Sequence, residues 1–128
     1  MKNPSLYPPD WLKIAKKDWH RIKTMLNDGD PDAAGYFLQQ ALEKFLKAFL
    51  LDHGWELKKI HPLFTLLDDA VKYNPKLEVF RDLCEIISGY YIADRYPYLV
   101  VSELTTEDIE KDLAEAERLI NALGFTSI

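Results

Sequence analysis

The chain has 128 residues, 48% apolar and 29% charged, with a formal net charge of −5. That length and balance fit a single globular domain over residues 1–128, large enough to bury a sizeable core. The acidic balance excludes a nucleic-acid binder working by bulk phosphate attraction, so such contacts need a local basic patch, and the one cysteine, Cys84, excludes an intramolecular disulfide.

Asp10, following Pro8-Pro9, is placed to cap a first helix. Trp11, Ile14, Ala15, Trp19, Ile22 and Leu26 then recur at helical spacing. The run "NDGDPD", Asn27 to Asp32, reads as a turn. A second helix is expected from Ala33 to Asp52, ended by His53-Gly54, and a loop follows from Trp55 to His61. Pro62 suits the first turn of a third helix, with Leu63, Leu66, Leu67, Ala70 and Val71 on its buried face and Asn74-Pro75 closing it. Leu77, Phe80, Leu83, Cys84 and Ile87 mark a fourth helix, with Cys84 as a buried small hydrophobe. "RYPYLVVSEL" reads as a loop because Pro97 disfavours a helical Tyr96. Thr105 and Asp108 form a capping box for the last helix, with Leu104 and Ile109 as its staple. Ile109, Leu113, Ala116, Ile120 and Leu123 are its buried face, and Gly124 stops it. The pattern predicts an all-α fold, an antiparallel up-and-down bundle of four to five helices.

No apolar core lies between Met1 and Asp10, so no signal peptide is expected. Lys44, Lys47 and Asp52 interrupt the longest apolar runs, far short of the ~20 residues that cross a bilayer. A cytoplasmic protein with no membrane association is expected.

The second helix is apolar over more than half its circumference: Phe37, Leu38, Ala41, Leu42, Phe45, Leu46, Ala48, Phe49 and Leu51. A surface helix needs a stripe only somewhat wider than ~100°. This helix is either the centre of the bundle or shared with a second subunit, and the excess arc is taken as a reason to expect a homodimer. The remaining stripe is polar: Gln39, Gln40, Glu43, Lys44 and Lys47. It reads as a solvated seam with one weak Glu43–Lys47 pair, or as a strip that holds a ligand or orders a neighbouring arginine. His20, His53 and His61 lack metal-motif spacing, so no metal site is expected, and none of the five glycines forms a phosphate loop. His61 before Pro62 could simply bond nearby backbone. The run "GYYIADRYPY", Gly89 to Tyr98, places Tyr and Arg at a helix end. Such a cluster suits base stacking and phosphate pairing, or core packing with Arg95 on Asp94 or Glu43.

Three stretches in order, "AGYFLQQALEKFLKAFLLDHG", "KKIHPLFTLL" and "YYIADRYP", resemble the HEPN domain, strongest over residues 33–98. The family pattern has a helix QQAxEKxLKAxL, then K-x-H-x-L opening the next helix, then YYxxxRYP. The resemblance implies a helical bundle, commonly a homodimer, often beside a small nucleotidyltransferase in a toxin–antitoxin-like pair. It implies no cofactor. Several branches are metal-independent ribonucleases whose arginine is followed four to six residues later by a histidine. After Arg95 those places hold Val100, Val101 and Ser102, so that motif is incomplete here. The resemblance therefore implies a non-catalytic protein binding nucleotide or RNA through Gln40, Glu43, Lys47, His61, Tyr91 and Arg95. The alternatives are an endoribonuclease with a non-standard site and a dimeric interaction module without ligand.

Overall fold

Two prolines start the first helix. In the computed structural model, which describes residues 4–90 and 104–128, α1 runs Pro8–Asn27. Asp10 is not its cap: Tyr7 is, without a side-chain bond, because Pro8 and Pro9 already suit a first turn that needs no N–H donor. Asp10 lies inside that turn, where a negative charge suits the helix N-terminus, and accepts from Ser5 Oγ at 2.6 Å. Helix α2 spans Pro31–Asp52, with the Asp30 carboxylate accepting from the Ala33 N–H at 3.0 Å. The link from Asp28 to Asp30 is so short that α2 must fold back along α1, and these two helices form the most extensive pairing of the bundle. As expected, His53 and Gly54 close α2, with Gly54 at φ 85°.

Pro62 caps α3 (Leu63–Ala70). The periodicity from Leu77 to Ile87 predicts one helix, but the structure divides it into a 3₁₀ turn at Pro75–Phe80 and α4 at Arg81–Ser88. Asn74 starts the 3₁₀ turn by accepting from the Lys76 N–H at 3.2 Å. Arg81 pins the junction, donating to Glu78 at 2.7 Å, to Asp68 at 2.5 Å and to the Phe64 carbonyl at 3.1 Å. Helix α5 (Thr106–Ala122) opens with the expected capping box, Thr105 accepting from the Asp108 N–H and Asp108 from the Thr105 N–H. Gly124, at φ 91°, stops it. The described residues thus form an all-α bundle of five α-helices and one 3₁₀ turn, with no strand.

Helix α2 is the middle of this bundle. It touches α1, α3, α4 and α5, and Leu38, Ala41, Leu42, Phe45, Leu46 and Leu50 are fully buried. All of its wide apolar arc but the partly exposed Phe37 and Leu51 is therefore covered within one chain, and the width of the arc by itself supplies no argument for a second subunit. At Gly35 the neighbours come closest: a Cβ there would lie 2.9 Å from Leu104 Cδ1 and 3.3 Å from both Ile109 Cδ1 and Tyr90 Cβ. No helix among the described residues is long and apolar enough to cross a membrane. The tyrosine-rich stretch from residue 91 onward, with Tyr91 and Arg95, lies outside the described residues.

Candidate functional site

At 3.6 residues per turn, Gln39, Gln40, Glu43, Lys44 and Lys47 fall on one stripe of α2. The stripe is not a solvated seam. Gln39 is 1% exposed, and Glu43 and Lys47 are each 4% exposed, because the stripe turns inward toward α1 and toward the loop before α3. Burying such groups without partners would cost several kcal/mol each, and the structure pairs every one. Lys47 Nζ donates to Glu43 Oε2 at 3.0 Å. Gln39 Nε2 donates to Glu43 Oε1 at 3.1 Å and to the His61 carbonyl at 3.0 Å. His61 Nδ1 lies 3.3 Å from both Glu43 oxygens. Lys47 Nζ also sits 5.5 Å from the Trp11 ring centroid, a cation–π contact from α1.

The network continues along the stripe. Gln40 Nε2 donates to Gln39 Oε1 at 2.7 Å, and Lys44 Nζ donates to Gln40 Oε1 at 3.3 Å. Lys44 also pairs with Asp18 of α1, whose other oxygen accepts from Arg21 Nη1 at 2.6 Å. Asp18 is 3% exposed on the inward side of α1. The result is a hydrogen-bonded chain from Arg21 to His61 across two helices and a loop. No buried side-chain nitrogen or oxygen among the described residues lacks a partner.

The two ends of the chain differ chemically. On one side the network reaches the cation of Arg21, and on the other it reaches the ring of His61, whose side chain is 61% exposed. A carboxylate beside Nδ1 favours the tautomer protonated there and fixes the orientation of the ring. Lys47 keeps Glu43 partnered, so the carboxylate can hold the ring without leaving an uncompensated buried charge. The arrangement can orient an imidazole at the protein surface and bind a group there.

The structure thus brings together Gln40, Glu43, Lys47 and His61 from the residues implied by the sequence, while Tyr91 and Arg95 lie outside the described residues. His53 Nδ1 approaches the Phe49 carbonyl at 2.8 Å at the end of α2, and His20 is exposed on α1. Among the described residues no group of His, Cys, Asp and Glu could hold a metal ion. Sequence reasoning missed Asp18. Its one signal is position: a carboxylate between Ala15 and Ile22, on the apolar side of α1, needs a cation from a neighbouring helix.

Comparison with known proteins adds to this geometry. The family model described as "HEPN domain" matches residues 9–125. Among solved structures, the crystal structure of TT1696 from Thermus thermophilus is similar, with a TM-score of 0.77 and 26% sequence identity. That similarity covers 91% of this chain and 95% of the other. A search of curated proteins gives no match.

Proposed function

The chain belongs to the HEPN domain family, and we propose from that premise that it binds a nucleotide or RNA at the Glu43–His61 end of the network, acting with a nucleotidyltransferase partner in a toxin–antitoxin-like pair. The observation that carries this reading is the buried Gln39–Glu43–Lys47 group holding the surface ring of His61. A fully partnered polar cluster inside a small core is difficult to build, and this one ends at the surface where a ligand could meet it. Gln40 and Lys47 fix Gln39 and Glu43, Tyr91 offers a stacking face, and Arg95 offers a planar fork for phosphate. The homodimer belongs to the proposal on the family pattern alone, and a cytoplasmic setting belongs to it on the sequence patterning described above.

The protein is read as non-catalytic because Val100, Val101 and Ser102 occupy the places where the family's ribonuclease histidine falls. One observation favours the second reading, an endoribonuclease with a non-standard site: the Glu43 carboxylate at His61 Nδ1 is an acid–base arrangement. The experiment pairs two measurements. Calorimetric titration with ATP and with a short RNA should show binding that His61→Ala and Arg95→Ala each weaken. Incubation of a mixed RNA pool in chelator should show no cleavage. Cleavage by wild type that disappears in His61→Ala would establish the second reading, and no binding of either ligand would leave an interaction module.

A further inference from the structure

The outer face of α1 carries a charge unlike the rest of the chain. Between Pro8 and Asn27 stand four lysines and one arginine against two aspartates, in a protein of net charge −5. Lys13, Lys17, His20 and Arg21 are exposed and Lys16 is half-buried. With Lys16 they line one shallow hollow of about 450 Å³. Spacings of three and four residues put one or two of these cations on each successive turn, about 5.4 Å apart along the axis. Elsewhere, Lys44, Lys47, Lys72 and Arg81 have carboxylate partners, and the described cations without an ion pair, Lys58, Lys59, Lys76, Lys111 and Arg118, are spread over a loop, the 3₁₀ turn and α5 rather than gathered on one face. On α1 only Arg21 does, through Asp18; no ion pair among the described residues involves Lys13, Lys16 or Lys17. An acidic chain with carboxylates to spare leaves this stripe uncompensated.

We propose that the outer face of α1 is a docking surface for the phosphate backbone of single-stranded RNA. Three arguments select that partner. A protein–protein interface needs an apolar core with charges confined to its rim, but beside Lys13, Lys16, Lys17, His20 and Arg21 the one exposed large apolar side chain of α1 is Ile14, at the stripe's edge. A membrane surface would have to take the apolar side of α1, but Ala15 and Ile22 on that side are buried inside the bundle. Single-strand binders combine a cationic track with aromatic faces, and the partly exposed Trp19 stands one turn on from Lys16, at the edge of the stripe. The inference rests on the RNA side of the proposed function and extends it: the stripe holds the strand, and the Arg21–Asp18–Lys44 link joins it to the network ending at His61.

The test uses fluorescence anisotropy with a labelled 20-nucleotide oligouridylate, across a salt series. The variant is Lys13→Gln/Lys16→Gln/Lys17→Gln, and the control is Lys76→Gln/Lys111→Gln/Arg118→Gln, which removes the same charge from other exposed positions. Each phosphate contact on a single strand contributes about −0.7 to the slope of log K against log salt, so the stripe variant should lose about 2 from that slope and bind at least about tenfold more weakly. The control should stay near wild type, and ATP binding should be unchanged in both. Equal losses in stripe variant and control would reduce the effect to net charge and overturn the proposal. So would polyglutamate binding as tightly as the oligonucleotide, which would make the partner an acidic protein. If wild type binds RNA and the stripe variant binds equally well, the docking surface falls while the site reading stands. If wild type binds ATP but no oligonucleotide, the RNA side of both falls together. Matching thermal melts for all three proteins keep misfolding out of the comparison.

Discussion

Tyr90 and Asp112 are each 8% exposed, and the tyrosine hydroxyl donates to the aspartate. Burial pushes the Asp112 carboxyl above the usual carboxylate range, and the bond from Tyr90 offsets this only in part. A raised folded pKa means the folded chain holds that proton more tightly. The associated stability is full below the ordinary value and disappears as pH rises through the raised one. Asp69 works in the opposite sense: burial raises it, but hydrogen bonds from Trp55 and Lys72 outweigh burial and lower it. Its contribution is present above the ordinary value and lost as pH falls through the lowered one. Denaturant midpoints measured from below pH 4 to neutrality should therefore fall less with rising pH in Asp112→Asn than in wild type. Parallel curves would show that Asp112 carries no such linkage. At Glu43 and Lys47 the expected effect is larger. Removing one member of a buried pair costs about 3–5 kcal/mol, so Lys47→Met and Glu43→Gln should each destabilise strongly, and the double variant should lose less than their sum. Chemical denaturation of the three variants checks this. The polar stripe was legible at this scale from spacing alone. Its burial was not, because spacing does not say which helix will lie across a stripe, and the position of His61 beside Glu43 was readable only through the family pattern.

Among the elements, the helices with strong start signals match the sequence closely. Thr105 and Asp108 cap α5 as their spacing requires. Thr105→Ala should cost about 1 kcal/mol, read as a lower thermal midpoint. The one misread element lies between Leu77 and Ile87, since six residues are too few for apolar spacing to distinguish three residues per turn from 3.6. Gly35 illustrates the same limit. A glycine inside a helix reads as a weak point, and alanine there should gain about 1 kcal/mol by propensity. Yet Leu104, Ile109 and Tyr90 occupy the space its side chain would need. Overpacking costs roughly 1–3 kcal/mol, so net of that gain Gly35→Ala is expected to be destabilising by up to roughly 2 kcal/mol. A higher denaturant midpoint in Gly35→Ala would contradict the packing described here.

For the whole molecule, the bundle was predictable because periodicity and turn residues together limit how short-linked helices can pack. The choice between a central α2 and a shared α2 was not, since both satisfy the same apolar arc. Light scattering over a dilution series is expected to give twice the 14.9 kDa chain mass. A monomer at micromolar concentration would remove the homodimer from the proposal. The central place of α2 also bears on how the protein is made. Gly35 is covered by Leu104 and Ile109, and the rings of Phe45 and Phe125 lie 6.2 Å apart. Those covering residues leave the ribosome well after α2, which during synthesis must wait with that flank exposed while more than fifty further residues emerge. Domains in this position expose apolar surface and become chaperone clients. A nascent chain halted after Ser88 should therefore be held by chaperones that bind apolar surface, and should let go only when α5 arrives to close the core.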